Sequence, residues 1–399
     1  VSRFRFPTPP RPEVSIIVVC YGGLEWTRRC LRTLLDHTEP CYELIVVDNP
    51  TPGGDESGPL LAREIESARL LLNPVNVGFS AACNQGAAHA TGRFLLFLNN
   101  DVLVHPGWLP PLLAAVAADP RTGAAGPCFL NLDGSLQEAG ALLARSGSTL
   151  DYGADDDAER PEYRFPRQVD YLAAACLLVR RSAFCDVGGF DARYGLVYFE
   201  DCDLCLSLAA AGWRTVYEPR SRVTHVRDAA GGSSSQRGLA LCNRSRFEER
   251  WRPLLASRPY PPLSGDRRRM LASRDACATA RLLVVADEPP RPGSESRDLL
   301  IELRRELPRA RLTLAFPGGW GPELDPLPAL GIEVEARTAG WEAWLGERRF
   351  GFDAVFGAPG GLDAALRRTQ PQAARLCAAR GSALRDALAA AGIAPEALP

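Results

Sequence analysis

Apolar runs and helically spaced apolar positions alternate along the first third of the chain. Val14–Cys20 (VSIIVVC) is an unbroken, β-branched run, the pattern of a strand buried on both faces. Leu24, Thr27, Leu31 and Leu34–Leu35 then recur at helical spacing. Tyr42–Val47 (YELIVV) predicts a second strand running into Asp48, and Arg69–Leu72 a short third. Gly78–Thr91 is Ala-rich and predicts a helix, Phe94–Leu98 (FLLFL) a fourth strand, and Leu109–Ala118 a further helix. This alternation predicts an α/β fold with a mostly parallel, doubly wound sheet. Ligands of such sheets bind beyond the carboxyl ends of the strands. Tyr21, Asp48 and Asp101, each following a predicted strand, should therefore face one crevice.

Beyond Thr122 the pattern is irregular. Gly134–Gly153 reads as loop-rich and Asp151–Pro166 as an exposed excursion. Val169–Arg180 (VDYLAAACLLVR) predicts another buried strand, Arg214–His225 one or two more, and Cys242–Leu255 a helix. Ala229–Gly238 (AAGGSSSQRG) fits a plain linker or a flexible lid. Arg258–Asp275 is rich in Pro and Arg and reads as a linker. Apolar runs then restart at Arg281–Ala286, Arg311–Phe316 and Phe352–Phe356, with a helix near Arg297–Glu306 and an Ala-rich, partly helical tail at Arg367–Leu398. The expected division is an arm at 1–12, a first domain at 13–257, a linker at 258–277 and a smaller Rossmann-like unit at 278–399.

A length of 399 residues supports two domains, and 46% apolar with 24% charged residues is the balance of a globular protein. A formal net charge of −2 gives no field favouring nucleic acid or a membrane surface. The 12 cysteines follow no disulfide framework, and most sit in apolar runs, which points to a reducing, cytoplasmic location. Cys202 and Cys205 form a single CxxC, read as buried thiols rather than zinc ligands. No signal-peptide core is evident, and no run reaches the roughly 18 apolar residues of a membrane-spanning helix.

The chemistry concentrates in a few places. Glu200, Asp201 and Asp203 follow the aromatic pair Tyr198–Phe199 and open a helical pattern. Clustered acids among apolar flanks need partners or a task, and general-base work is one such task. The other reading is a helix cap with acidic first-turn neighbours, stronger for Asp203 than for Glu200–Asp201. Asn99–Asn100–Asp101 ends a very apolar strand with hard oxygen donors, the kind that Mn²⁺ or Mg²⁺ accepts alongside substrate phosphates. His225, closing Ser221–Val226, is either a second ligand or a packed core histidine. In Asn76–Gly86 (NVGFSAACNQG), Asn76 and Gly78 open a helix whose free N–H groups can meet a diphosphate, although a capping Asn and a turn Gly explain the same residues. Asp48 can accept from a nucleobase or ribose, and Tyr21 can stack on the base. Capping and packing are the alternatives.

Read in order, SIIVVCYGG, VVDN, NVGFSAACNQGA, FLLFLNNDV, DGSLQEAG, VDYLAAACLLVRRSAF, VGGFD, YFEDCDLCLSLAAAGW and VTHV resemble glycosyltransferase family 2, the inverting nucleotide-sugar enzymes with the GT-A fold, over roughly residues 13–255. The QEAG and VDY segments are most similar to the rhamnosyltransferase-type enzymes of bacterial polysaccharide and O-antigen assembly. The resemblance implies a sugar moved from a nucleotide-diphosphate donor, with dTDP-rhamnose one candidate, to a saccharide or lipid-linked acceptor. That acceptor would be the enzyme's only tie to a membrane. It implies Asp201 as catalytic base with Glu200 beside it, and Asp101 and His225 as ligands of Mn²⁺ or Mg²⁺. Tyr21, Asp48, Asn76, Gly78, Phe79, Asn84, Asn99 and Asn100 would line the donor. Asn99 stands where the family's DxD motif has its first acid, Ala173–Ala174 replace a small polar pair, and Val226–Gly232 replace a Gly-Ser segment. The rival from another class is an inactive sugar-nucleotide-binding scaffold. A nucleotidyltransferase is disfavoured, because no basic residue follows the second strand in VVDNPTPGGDESG. Leu282–Arg297 resembles the opening of a GT-B-like half-domain.

Overall fold

A computed structural model describes residues 3–52, 57–227, 234–261, 266–357, 362–377 and 381–394, with backbone only at 234–237. The chain divides into two compact units, residues 1–158 with 169–257, and 159–168 with 258–399.

The first unit is built on β1 (Val14–Cys20), β2 (Tyr42–Asp48), β3 (Arg69–Leu72), β4 (Phe94–Asn99), β5 (Val102–Val104), β6 (Thr122–Leu130), β7 (Leu136–Glu138), β8 (Cys176–Arg180) and β9 (Arg214–His225). Across the sheet the order is β9-β6-β8-β4-β1-β2-β3, with β5 paired to β9 and β7 to β6. Pairs β1–β2, β1–β4, β2–β3 and β6–β9 are parallel, whereas β8 runs antiparallel to both neighbours. The fold is thus α/β with a mostly parallel sheet resembling GT-A. The central runs are apolar throughout because both faces are covered: every residue of β1 is buried. Helices α1 (Leu24–His37), α2 (Phe79–His89) and α3 (Leu109–Ala118) lie between these strands in sequence. On α1 the buried positions Thr27, Cys30, Leu31 and Leu34 form the expected inward stripe. Helices α4 (Glu200–Ala210) and α5 (Ser234–Leu255) follow β8 and β9. The stretch expected to be a linker or lid, Ala229–Gly238, lies in part outside the described residues, which resume at Ser234 as the first residue of α5.

Two expectations are corrected. Gly134–Gly153 is not mainly loop. It contains β7 and the paired short strands Ala141–Leu143 and Thr149–Asp151. The turn into β7 needs Gly134 at φ +87, a backbone conformation costly for any side chain, and this one glycine explains why an Asp-Gly pair interrupts the apolar pattern. Asp151–Pro166 is not an exposed excursion either, since Tyr152, Tyr163 and Phe165 are fully buried.

The second unit carries a five-stranded, all-parallel sheet of β10 (Arg281–Val285), β11 (Arg311–Pro317), β12 (Ile332–Arg337), β13 (Ala354–Phe356) and β14 (Ala374–Leu376), in the order β12-β11-β10-β13-β14. That order reverses direction beside the first strand, as in Rossmann-like sheets. The latter half of the expected linker is helix α6 (Arg267–Arg274) within this unit. Phe165 belongs here too. Its ring lies under the guanidinium of Arg311 at 4.5 Å, with Arg274 at 5.8 Å. Beside it, fully buried Glu333 meets Arg274 and Arg348, each at 3.1 Å, and Asp275 meets Arg274 at 2.8 Å and Arg311 at 2.9 Å. Burial alone would raise the Glu333 carboxyl, but Arg274 and Arg348 outweigh it and hold the group at about 2.

Two outcomes follow from this packing. Glu333→Gln leaves two buried guanidinium groups short of a counter-charge and should cost about 3–5 kcal/mol at neutral pH. Because the folded carboxyl lies below its ordinary 4.5, that contribution is full above pH 4.5 and lost as pH falls toward 2. Denaturant titrations of both proteins at pH 7 and pH 3 read the gap, and a gap that does not narrow at pH 3 contradicts the ion network. Second, a chain ending at Ser257 lacks Arg274 and Arg311. Limited proteolysis should then cut it within residues 159–168 far faster than the full chain, whereas equal resistance would mean that the segment owes nothing to the second unit.

Candidate active site

The corner formed by β4, β5 and β9 holds the first group of acids. Asp101 follows the end of β4, and its carbonyl accepts from Val226 N–H at 3.0 Å, just past the end of β9. β5 and β9 pair so that His225 stands opposite Val102. The result sets His225 Nε2 3.5 Å from Asp101 Oδ1, too long for a good hydrogen bond. Asp101 Oδ1 is buried and makes no hydrogen bond among the described residues. An orphaned carboxylate oxygen facing an imidazole nitrogen suits a divalent cation between them, with imidazole favouring Mn²⁺. Among the described residues no group of three or more His, Cys, Asp or Glu forms a complete cage, so other ligands would have to come from elsewhere. Cys202 and Cys205 are buried free thiols.

Asn99 closes β4, and its N–H donates to Ala175 O at 2.9 Å. One residue away, Ala174 N–H points at Asp201 Oδ2 at 3.4 Å. Two backbone contacts through the start of β8 thus put Asp201 at the same end of the sheet as Asp101. Asp201 Oδ1 also accepts from Cys202 N–H at 2.8 Å. Burial pushes Asp201 above the usual carboxylate range, with these N–H groups pulling it back. Its neighbour Glu200 is pushed well above that range, first by burial and then by the charge of Asp201. Glu200 Oε2 is buried without a hydrogen bond among the described residues.

The turn that launches these acids is strained. Tyr198 and Phe199 both have positive φ, at 80° and 72°, a conformation costing about 1–2 kcal/mol for each such residue. Helix α5 holds it. Asn243, fully buried, brings its Nδ2 to Tyr194 O at 2.6 Å, Val197 O at 2.9 Å and Tyr198 O at 3.2 Å, and Phe247 packs its ring on Phe199 at 5.3 Å. Asp203 is not a helix cap, since Phe199 takes that position. Its carboxylate takes Tyr194 O–H and Trp251 Nε1–H at 2.8 Å each and Arg250 at 2.7 Å.

The candidate donor residues divide. Asp48 ends β2, is buried, and sits beside Gly58, while Tyr21 follows β1 half-buried. At the helix start Asn76–Phe79, Gly78 N–H goes to Asn76 Oδ1 at 2.8 Å and Phe79 N–H to Leu196 O at 2.8 Å. A side chain on Gly78 would strike Gly195 O at 2.4 Å, so close packing explains that glycine. Asn84 is spent on the backbone of Phe190, accepting at 3.0 Å and donating at 2.8 Å, and Phe79 packs edge-on against the Phe190 ring. Asn100 donates to Gly22 O at 2.9 Å and Thr27 Oγ1 at 2.8 Å, tying the loop after β1 to the Asp101 loop. These amides position loops.

Sequence reasoning missed three side chains. Asn243 carries no signal beyond being a polar residue on an otherwise mixed helix. Asn49, in VVDN, braces the loop before α2 through Asn73 at 3.0 Å and Gly78 O at 3.3 Å. Gln137 meets His225 Nδ1 at 2.9 Å, and its signal was the QEAG segment.

Asp203→Asn keeps the shape of this hub and loses its charge. It should cost about 1–3 kcal/mol of unfolding free energy, the range for a hydrogen bond to a charged group, with turnover lowered far less than by Asp201→Asn. Urea denaturation checks the cost, and a variant as stable as wild type but inactive would reverse the two roles.

Similarity to known proteins shows the family. The chain matches Glycosyl transferase family 2 over residues 15–188. It is 31% identical to the N-acetylglucosaminyl-diphospho-decaprenol L-rhamnosyltransferase of Mycobacterium tuberculosis over 256 residues, covering 59% of this chain and 82% of that protein. The pre-mycofactocin glycosyltransferase of the same organism is 30% identical over 62% of this chain, which spans about half of that relative, 51%. A crystal structure of GalNAc-T7 with UDP, GalNAc and Mn²⁺ aligns with a TM-score of 0.48 at 19% identity, over 64% of this chain and 53% of that one. With a relative above 30% identity spanned for most of its length, the chain belongs to glycosyl transferase family 2 and is a glycosyltransferase.

Proposed function

We propose that the chain is a metal-dependent, inverting hexosyltransferase that moves a sugar, rhamnose from dTDP-rhamnose in the first instance, onto a lipid-linked saccharide in cell-surface polysaccharide assembly. One observation carries the reading. Asp201, beside Ala174, and the Asp101–His225 pair stand at one end of a single sheet, joined through the Asn99–Ala175 hydrogen bond. The rhamnosyl donor and the diphospho-lipid acceptor are supported by the name of the 31% identical mycobacterial relative. A cytoplasmic enzyme meeting the membrane only at its acceptor is the matching location. No described helix is long and apolar enough to cross a bilayer.

In this reading Asp201 takes the proton of the acceptor hydroxyl as its oxygen attacks the anomeric carbon. The bond to the nucleotide diphosphate breaks on the opposite side, so the configuration inverts. A base buried beside the acceptor strand is held in place and partly stripped of water, which strengthens its pull on that proton. Glu200, with its carboxyl raised by burial, keeps its proton more readily than its neighbour, so the pair need not carry two charges. Asp101 and His225 would hold Mn²⁺ or Mg²⁺. When bound, such a cation offsets charge on the departing diphosphate. Asp48 and Tyr21 are left for the nucleoside.

The experiment is a nucleotide-sugar panel with purified protein and Mn²⁺, read as release of dTDP, UDP or GDP. Release should require the metal: EDTA abolishes it and Mn²⁺ restores it, and Asp101→Ala loses turnover and metal-dependent nucleotide binding together. Asp201→Asn should lower transfer by about 10²–10⁴-fold while nucleotide-diphosphate affinity stays within a few-fold. Because burial raises the Asp201 carboxyl above its ordinary 3.8, transfer should climb with pH through a window above that value as the base ionises. Full activity in EDTA, or wild-type transfer by Asp201→Asn, would overturn the assignment.

A further inference from the structure

We propose that Gln137 is a positioning residue that fixes His225 in the tautomer with its proton on Nδ1, leaving the Nε2 lone pair facing Asp101 for a divalent cation. The inference rests on the metal reading above, and it accounts for the DGSLQ segment that the transfer chemistry leaves unused.

A chain of hydrogen bonds runs from Asp133 to His225, its direction set at both ends by groups that can only accept. Ser135 Oγ lies 2.7 Å from the Asp133 carboxylate, which hydrogen bonds from Ser135 hold below the usual carboxylate range, so the hydroxyl donates to it. Ser135 Oγ must then accept from Asn131 Nδ2, at 2.9 Å. The same Nδ2 lies 3.4 Å from Leu136 O, a backbone acceptor. Asn131 therefore turns Oδ1 toward Gln137, whose Nε2 donates to it at 2.9 Å. Gln137 Nε2 also donates to the backbone carbonyl of His225 at 2.9 Å, a second group that can only accept. Both partners of this nitrogen demand a donor, so a flipped amide would lose both bonds. Gln137 Oε1 is what remains, and it lies 2.9 Å from His225 Nδ1. An amide oxygen cannot donate, so Nδ1 carries the proton. His225 Nε2 then presents a lone pair to the Asp101 Oδ1 that has no hydrogen bond. Two electron-rich atoms 3.5 Å apart repel unless a cation lies between them. Gln137 is 4% exposed, so water does not readily compete for its amide.

The test begins with metal-free wild-type protein, which needs no variant. The chain has four histidines, so long-range ¹⁵N–¹H spectra of histidine-labelled protein are simple, and His225→Gln assigns the ring. The expected pattern is a protonated Nδ1 and an unprotonated Nε2, and a proton on Nε2 overturns the proposal. Gln137→Leu should shift the ring toward Nε2–H and weaken Mn²⁺ binding, read by electron paramagnetic resonance of the free ion, by about 10–100-fold. Gln137→Glu keeps an accepting oxygen and should keep the tautomer while losing the donors to Asn131 and to His225 O. Ser135→Ala breaks the chain at its far end and should have a smaller effect in the same direction. A Gln137→Leu protein that folds and binds Mn²⁺ as wild type does, with an unchanged tautomer, also overturns it. If wild type shows the expected tautomer but binds no Mn²⁺, the metal reading fails while the positioning of His225 stands.

Discussion

Two consecutive aromatic residues in the left-handed region set the terms for the candidate active site. Tyr198 and Phe199 resist that conformation, yet only by adopting it does the chain turn sharply enough to begin α4 with Glu200 and Asp201 at the sheet. The opposing force comes from a helix more than forty residues later. Asn243, Phe247, Arg250 and Trp251 all grip the segment from Tyr194 to Asp203. The buried acids, the aromatic turn and α5 are therefore one mechanical unit, in which packing holds a backbone that local preference opposes.

The remaining site geometry is inherited from the sheet. β8 runs against its neighbours, so the residues that lead into it, Ala174 to Cys176, lie at the carboxyl ends of the parallel strands, where they link Asp201 to the Asn99 backbone. β9 runs parallel to β6 and delivers His225 to the same end. Polar amides then fasten each loop: Asn100 the loop after β1, Asn49 the loop before α2, Asn84 the turn at Phe190, Gln137 the ring of His225. The acids at this end can be few and buried because other side chains do the fastening.

What the sequence made legible was whatever depends on buried apolar surface. The runs at Val14–Cys20, Tyr42–Val47, Phe94–Leu98 and the end of Val169–Arg180 are strands, and Leu24–Leu35 is a helix with its stripe inward, because a strand buried on both faces permits little else. Asp101 stood out because it follows such a run, His225 because it ends the run Arg214–His225, and Asp201 because it follows the aromatic pair Tyr198–Phe199. What stayed hidden depends on partners distant in sequence. An asparagine that binds a nucleotide and one that braces a loop are the same letter, so the bonds of Asn84 and Asn100 to Phe190, Gly22 and Thr27 carry no sequence signal. Tyr163 and Phe165 sit among charged residues and read as solvent-facing, because the arginines that cover Phe165 lie more than a hundred residues away.

That last arrangement has a consequence for how the chain is made. Residues 159–168 leave the ribosome about a hundred residues ahead of Arg274, and further ahead of Arg311. At a synthesis rate of about 5–20 residues per second, that interval is on the order of 5–30 s. Throughout it, Phe165 has only the guanidinium of nearby Arg167, at 6.0 Å, to lie against. Residues 159–168, which belong to the second compact unit, thus still lack those two arginines when Ser257 is added. That interval is when a chaperone would find the apolar side chains of this segment to hold.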